Sequence, residues 1–588
     1  MGKLLFATLF AAAFLSAQDY SLGPDSQPQP GVPKGTVAKY VLAAGQFYPG
    51  APHNYSVYVP ARYDANKPAP FMIFLDGSGM LGNNMRAPTV FDNLIAKGDL
   101  PPLIGVFIDP GVLPMLSDQA QNRFERIFEY DSVNGRYARF LLEELIPEVA
   151  KKYNLSKDPN DHAISGVSTG AVGAFMAAWE RPDQFRRVLS FIGTFVAMKG
   201  ADALPALIRK TEPKPIRVFL QDGTNDHIVP GEPYGTFYAG SWPANNQIMY
   251  EALEYAGYDV KLAMGTGGHD GRQGAAIMPD ALRWLWREYP KPIVVHEPPE
   301  MGKPGWDPRG QVFAILSADQ PWRQVGGTYP SAASPAVDKE GNVFFAAGAR
   351  IYKSDEEGHV TVFRENSAVA KALRFGPDGR LYASQPARSR IVSYGPAGDE
   401  KVVAQGVEAG DLALTAKGEI YFIDSASKGV GFIDAAGRKR VAYGGGEIAA
   451  PTALTLTPDQ ALLIVGDGQT RFSWSFQISA GGALEDGEPY FRLDMPETSP
   501  VSGVAGIAVD STGEAYFADA IGIQVCEPIG RCAQILSKPE PGVLTSIAFG
   551  GKDLNWLYVT EAGKLFRRRV KPTGVTAWAP VKPPRPPL

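Results

Sequence analysis

The chain runs to 588 residues, 45% hydrophobic and 20% charged, with a formal net charge of −5. That length is too great for one hydrophobic core and predicts two or three domains. The mild acidity excludes the basic surface that nucleic-acid binding needs, so no nucleic-acid partner is expected.

Residues 1–17 set Lys3 ahead of an apolar stretch that ends at the small-residue site Leu15-Ser16-Ala17. The pattern predicts a cleavable secretory signal and hence a secreted or periplasmic protein. It is too short for a membrane anchor, and no later stretch is long and apolar enough to span a bilayer. Residues 18–35, rich in Pro and Gly, read as a flexible lead-in.

Residues 36–290 alternate buried strands with helices. YSVYVP (from Tyr55), FMIFLDG (from Phe71) and IGVFIDPG (from Ile104) read as strands that end in Gly/Asp/Pro loops. YARFLLEELIPEVAKKY has helical apolar spacing, and HAISGVSTGAVGAFMAAWE reads as strand, tight turn, helix. The predicted fold is a mostly parallel sheet covered by helices on both faces, the α/β-hydrolase class. Residues 291–308, with several prolines, read as a linker.

Six stretches in the second half repeat one pattern of strand, Asp/Gly turn, aromatic-rich strand, turn, strand. They begin near Val337, Phe375, Leu414, Leu456, Val509 and Phe549. A recurrence every roughly 40 residues predicts propeller blades. The expectation is an all-β six-bladed propeller over 309–580, followed by a Pro-rich tail at 581–588. Cys526 and Cys532 flank a short turn in the fifth repeat. Hairpin arms place them opposite each other, as a disulfide that export would permit or as two free thiols. No third Cys and no nearby His makes them a metal site.

Gly166-Val167-Ser168-Thr169-Gly170 lies between a predicted strand and an alanine-rich helix. There the turn forces Ser168 out at the strand's carboxyl end. A serine nucleophile needs a base, and the base needs an orienting acid. Of six histidines, His53, His162, His296 and His359 lie outside the expected place, which leaves His227 and His269. His269 stands in the glycine-rich loop Gly265–Asp270, which favours it as base. VFLQDGTND offers Asp222 and Asp226 as acid. Asp226, past the Gly turn, is the better placed, and Asp222 reads as a turn former. The oxyanion would take the N–H of Thr169 and that of Gly77 or Ser78. Trp242 either lines the substrate pocket or packs in the core. Arg123, Arg126 and Glu129 read as a solvated helix face rather than an ion-pair network near the site.

SVYVPARYD, FLDGSG, GVSTGA, FLQDGTND, GSWPANNQ, GTGGHD and PDALRWLW together resemble the putative-esterase family, which includes enterochelin-esterase-like and feruloyl-esterase-like enzymes. The resemblance spans roughly residues 36–290 and implies a Ser-His-acid carboxylesterase that uses Ser168, His269 and Asp226. The repeats are similar to gluconolactonase (regucalcin-like) propellers over about 327–567. That family holds a divalent ion near the propeller axis, and the matching positions here are Ala333, Gly410, Thr452 and Ala505. Alanine and glycine supply no oxygen ligand, so no metal and no cofactor are expected. The resulting expectation is a secreted serine carboxylesterase with a non-catalytic propeller, acting on a small-molecule or polysaccharide-linked ester such as a feruloyl or acetyl ester of plant polysaccharide. The alternatives are a bifunctional esterase and metal-dependent sugar lactonase, or a binding scaffold with a vestigial esterase site.

Overall fold

The computed structural model describes residues 20–227, 240–295, 315–317, 320–497 and 499–582. The predicted signal segment, His296, and most of the predicted linker and tail lie outside these residues. The chain divides into two compact units, one up to Leu207 plus Pro213–His296, the other Ile208–Glu212 plus the chain from Glu297. Among the described residues no helix is long and apolar enough to cross a membrane.

The first unit is built on an eight-stranded sheet. Its strands are β1 (Thr36–Leu42), β2 (His53–Val59), β3 (Phe71–Leu75), β4 (Ile104–Ile108), β5 (His162–Val167), β6 (Arg187–Phe191), β7 (Arg217–Gly223) and β8 (Asp259–Gly265). They lie in the order β1-β2-β4-β3-β5-β6-β7-β8. β1 pairs antiparallel with β2, and β2 with β4, while every later pairing is parallel. β3, β4 and β6 are buried throughout, as continuous apolar runs in a sheet covered on both faces must be.

Six helices concern the site: α1 (Gly77–Leu81), α2 (Ala87–Lys97), α3 (Arg126–Tyr130), α4 (Thr169–Glu180), α5 (Trp242–Tyr255) and α6 (Gly271–Trp286). α2 and α6 join Phe74, Phe107 and Leu189 of the sheet in one apolar core. α4 is buried from Thr169 to Trp179, which explains its small, apolar composition all round. The lead-in does not hang free, as expected of it, but is docked on this unit. Asn93 donates to the carbonyls of Asp25 and Gln27, and Arg283 grips the Asp25 carboxylate. Polar anchors on α2 and α6 hold it, and its own composition does not show them.

The second unit is a six-bladed propeller of four-stranded sheets. The innermost strands are Ala333–Val337, Leu373–Phe375, Ala409–Leu414, Pro451–Leu456, Gly506–Val509 and Leu544–Gly550. Each packs beside the next, and the sixth returns to the first. Every blade carries a fourth, outer strand beyond the three read from the repeats. Those at Glu400–Gln405 and Lys439–Tyr443 are largely exposed, so they do not show the continuous apolar run of a buried strand. In the last blade the outer strand is Arg323–Thr328, which pairs with Lys564–Arg569 and closes the ring. Cys526 and Cys532 form a disulfide across adjacent hairpin strands. Val575–Trp578 lines a cavity of about 150 Å³ with residues near the ends of all six inner strands.

Candidate active site

Ser168 sits between β5 and α4 with φ 58° and ψ −122°, a conformation a side-chain-bearing residue adopts only under constraint. Its neighbours supply the constraint. The Ser168 amide donates to the Phe191 carbonyl at 2.9 Å, and its carbonyl accepts from Thr194 N at 3.2 Å. A β-carbon on Gly166 would lie 2.0 Å from the Gly170 carbonyl oxygen, so only glycine admits this turn. The serine is thereby lifted off the end of the sheet.

His269 reaches it from the loop between β8 and α6. Gly267 N donates to Gln273 at 2.9 Å, and the Gly267 carbonyl accepts from Asn225 N at 3.1 Å. The loops after β7 and β8 approach so closely that a β-carbon on Gly223 would meet the Gly267 carbonyl at 2.1 Å. The Ser168 hydroxyl lies 2.9 Å from His269 Nε2, and His269 Nδ1 lies 2.8 and 3.0 Å from the two oxygens of Asp226. With a carboxylate facing Nδ1, the proton belongs there and Nε2 is left as the acceptor for the serine.

Asp226 is buried, which alone would raise its pKa, but its hydrogen bonds to His269 and Asp222 hold it below the ordinary carboxylate value. Asp222 lies behind it. Its Oδ1 accepts from Gly223 N at 2.7 Å and its Oδ2 from Asn246 at 2.9 Å. Complete burial and the neighbouring Asp226 push Asp222 up to about 8. Asp222 thus accepts a backbone N–H at the turn, as the turn-former reading has it, and also stands beside Asp226, whose charge disfavours its ionisation.

Thr169, the first residue of α4, and Gly77, the first residue of α1, bring two helix starts to the end of the sheet near Ser168. Ser78 is not available in the role allowed for it, because its amide already donates to Asp109 at 2.8 Å. The solvated-face reading of α3 also needs correction. Arg126 donates to both oxygens of Asp76 at 2.7 Å and to the Val167 carbonyl at 3.1 Å. Glu129 is buried and accepts from Gly111 N, with His53 Nε2 also 2.9 Å away. Of the three, Arg123 alone is exposed, paired with Glu125. Helical spacing could not show which face the loops around α3 would cover.

Thr194 carried no sequence signal at all, since it belongs to no motif. Its hydroxyl lies 3.0 Å from the Ser168 hydroxyl and 3.3 Å from Trp242 Nε1. An indole N–H can only donate. Thr194 Oγ1 therefore accepts from Trp242 and turns its own proton to Ser168, which in turn donates to His269. Trp242 is buried, and its ring meets that of His269 edge-on with centroids 5.5 Å apart. It takes the packed position, two hydrogen bonds from the nucleophile by way of Thr194.

In the propeller, Ala333 begins its inner strand, Gly410 and Thr452 are second in theirs, and Ala505 immediately precedes its own. Thr452 is the one with a side-chain oxygen, and its hydroxyl donates to the Val504 carbonyl at 2.6 Å. Close by, Arg374 pairs with Asp411 at 2.9 Å and donates to Ser334. This donor set does not fit a divalent ion, which needs several converging oxygens.

A sheet in this strand order, with a serine on the turn after β5, an acid after β7 and a histidine after β8, defines an α/β-hydrolase. Residues 48–284 match the family model described as "Putative esterase", and residues 399–563 match the "SMP-30/Gluconolactonase/LRE-like region". The chain thus carries an esterase-family domain followed by a gluconolactonase-like region. The iron(III) enterobactin esterase of Dickeya dadantii (strain 3937) is 26% identical over 205 residues, covering 32% of this chain and 42% of that protein. The uncharacterized protein YbbA of Bacillus subtilis (strain 168) is 20% identical over 178 residues, covering 29% and 68%. The match thus spans about two fifths of the first relative's length. Among solved structures, the enterobactin esterase of Shigella flexneri matches with TM-score 0.34 at 20% identity, covering 44% of this chain and 62% of that one. A gluconolactonase from Xanthomonas campestris matches with TM-score 0.38 at 18% identity, covering 43% and 91%.

Proposed function

We propose that the chain is an exported serine carboxylesterase in which Ser168, His269 and Asp226 are the triad and the propeller is non-catalytic. The observation that carries this is the unbroken contact from the Ser168 hydroxyl through His269 to Asp226, at 2.9 and 2.8 Å. Ser168 Oγ attacks the ester carbonyl carbon while its proton passes to His269 Nε2. Asp226 holds the imidazolium so formed, and the amides of Thr169 and Gly77 take the oxyanion. Collapse expels the alcohol, which leaves with the proton from His269. Water then cleaves the acyl-serine by the reverse roles. The signal-like start and the Cys526–Cys532 disulfide support an exported, oxidising location.

Feruloyl or acetyl esters of plant polysaccharide are the proposed substrate class, as suits an exported enzyme joined to a propeller of sugar-lactonase type. The test is a panel of p-nitrophenyl, acetyl and feruloyl esters. An enterobactin-type cyclic ester joins it, because a matched relative is named for that substrate. Wild type should turn over feruloyl or acetyl esters best, and Ser168→Ala should lose roughly three to six orders of magnitude in rate. An alanine variant with near wild-type turnover would end the assignment.

A further inference from the structure

The proposed reaction leaves His227 without a role, although it adjoins the proposed acid. Its main chain is clamped on both sides: the amide donates to Asp226 at 2.6 Å, and the carbonyl accepts from Trp242 N at 3.1 Å. Its side chain, by contrast, is exposed and lies against the ring of His269, with centroids 4.5 Å apart and planes 32° apart. One ligand atom from each of Asp226, His227 and His269 falls within 4.8 Å of the other two.

We propose that Asp226, His227 and His269 form an inhibitory site for a zinc-class divalent ion that silences the hydrolase by occupying its base. The inference rests on the triad reading above and adds a means of regulation to it. Two imidazoles and a carboxylate with a fourth position open are a donor set that suits zinc. Magnesium and calcium, which require mainly oxygen ligands, are excluded by the same donors. The exposed His227 ring, which rests on those of His269 and Trp242, would turn about its side-chain torsions to aim a ring nitrogen between the other two ligands. An ion held by Asp226 reaches His269 through Nδ1, the nitrogen that faces that carboxylate. It displaces the proton from Nδ1 to Nε2, which then donates and cannot accept, so the base is lost.

A second trio, Asp355, Glu357 and His359 in the other unit, meets the same distance limit and serves as the control. Its members are half-buried or exposed, whereas Asp226 is fully buried.

The experiment titrates zinc sulfate into the full chain by calorimetry, for wild type, His227→Gln and His359→Gln. It also measures ester turnover, with each variant compared with its own metal-free rate. One saturable site is expected in wild type, weakened roughly tenfold or more in His227→Gln and unchanged in His359→Gln. Inhibition should shift by the same factor, reverse with EDTA, and fail with magnesium or calcium. Absence of saturable binding, binding indifferent to His227→Gln, or binding lost in His359→Gln would each overturn the site. The two readings separate cleanly. A chain that turns over no ester yet binds zinc through His227 sinks the esterase and keeps the metal site, whereas ester turnover with zinc inhibition indifferent to His227 does the reverse.

Discussion

Arg126 holds both carboxylate oxygens of Asp76 at 2.7 Å and, with the same guanidinium, the carbonyl of Val167 at 3.1 Å. Asp76 is itself in the left-handed region, at φ 54°, and precedes Gly77. Val167 precedes Ser168. One planar fork therefore ties the two loops proposed to supply the oxyanion amides.

Arg126→Lys should lower kcat by about ten- to a hundredfold with little change in KM, because a point charge cannot reproduce a bidentate grip. Steady-state kinetics on a soluble aryl ester check this. A change confined to KM would assign Arg126 to ground-state binding instead.

The two aspartates after β7 should separate by mutation and by pH. Asp226→Asn should cost at least about a hundredfold in rate, since it removes the charge that supports His269. Asp222→Asn should cost far less, because an amide mimics the protonated acid. The folded-state pKa of Asp222 is raised to about 8, above the ordinary carboxyl value of 3.8. Its stabilising contribution is thus full below about pH 4 and is lost as pH rises through about 8. The native state keeps a proton over this window that the unfolded chain has released. Urea unfolding at several values between pH 4 and 9 should show wild type losing stability relative to Asp222→Asn as pH rises. Parallel curves for the two proteins would mean that Asp222 is ionised throughout.

Thr194 offers a sharper test of hydrogen-bond direction. Thr194→Val keeps the shape but removes the hydroxyl between Trp242 and Ser168, so kcat and the rate of serine labelling by a fluorophosphonate should both fall by about tenfold. Thr194→Ser should restore most of each. If serine rescues no better than valine, the methyl group and its packing matter rather than the hydroxyl.

The propeller prediction concerns metals. Ala333, Gly410 and Ala505 present no side-chain oxygen, and Thr452 offers a single hydroxyl, which hydrogen-bonds to the Val504 carbonyl. Gluconolactone turnover should stay at background with added calcium, zinc or manganese, and ester turnover should survive strong chelation. Metal-dependent lactone hydrolysis that persists in Ser168→Ala would restore the bifunctional alternative.

The elbow around Ser168, the glycine loop bearing His269 and the turn bearing Asp226 were legible because backbone sterics write them locally. A tight strand–helix turn demands Gly166, and the close approach of two strand-end loops demands Gly223. The blades were legible for a related reason: each repeats one buried strand pattern and its turn chemistry. Local sequence was silent where a group's state depends on what folds over it. The outer strands Glu400–Gln405 and Lys439–Tyr443 are largely exposed, and Arg323–Thr328 finds its partner only at the far end of the propeller. Ser78 is removed from the oxyanion pair by Asp109, and Arg126 is drawn from an apparent surface to Asp76. Burial beside Asp226 pushes the Asp222 pKa up, and Thr194 lies beside the nucleophile, because strands distant in sequence end together. Sequence determines which residues can take up a constrained backbone. Hydrogen-bond partners and burial, which decide the chemical state of those residues, exist only once the sheet has brought its strand ends together.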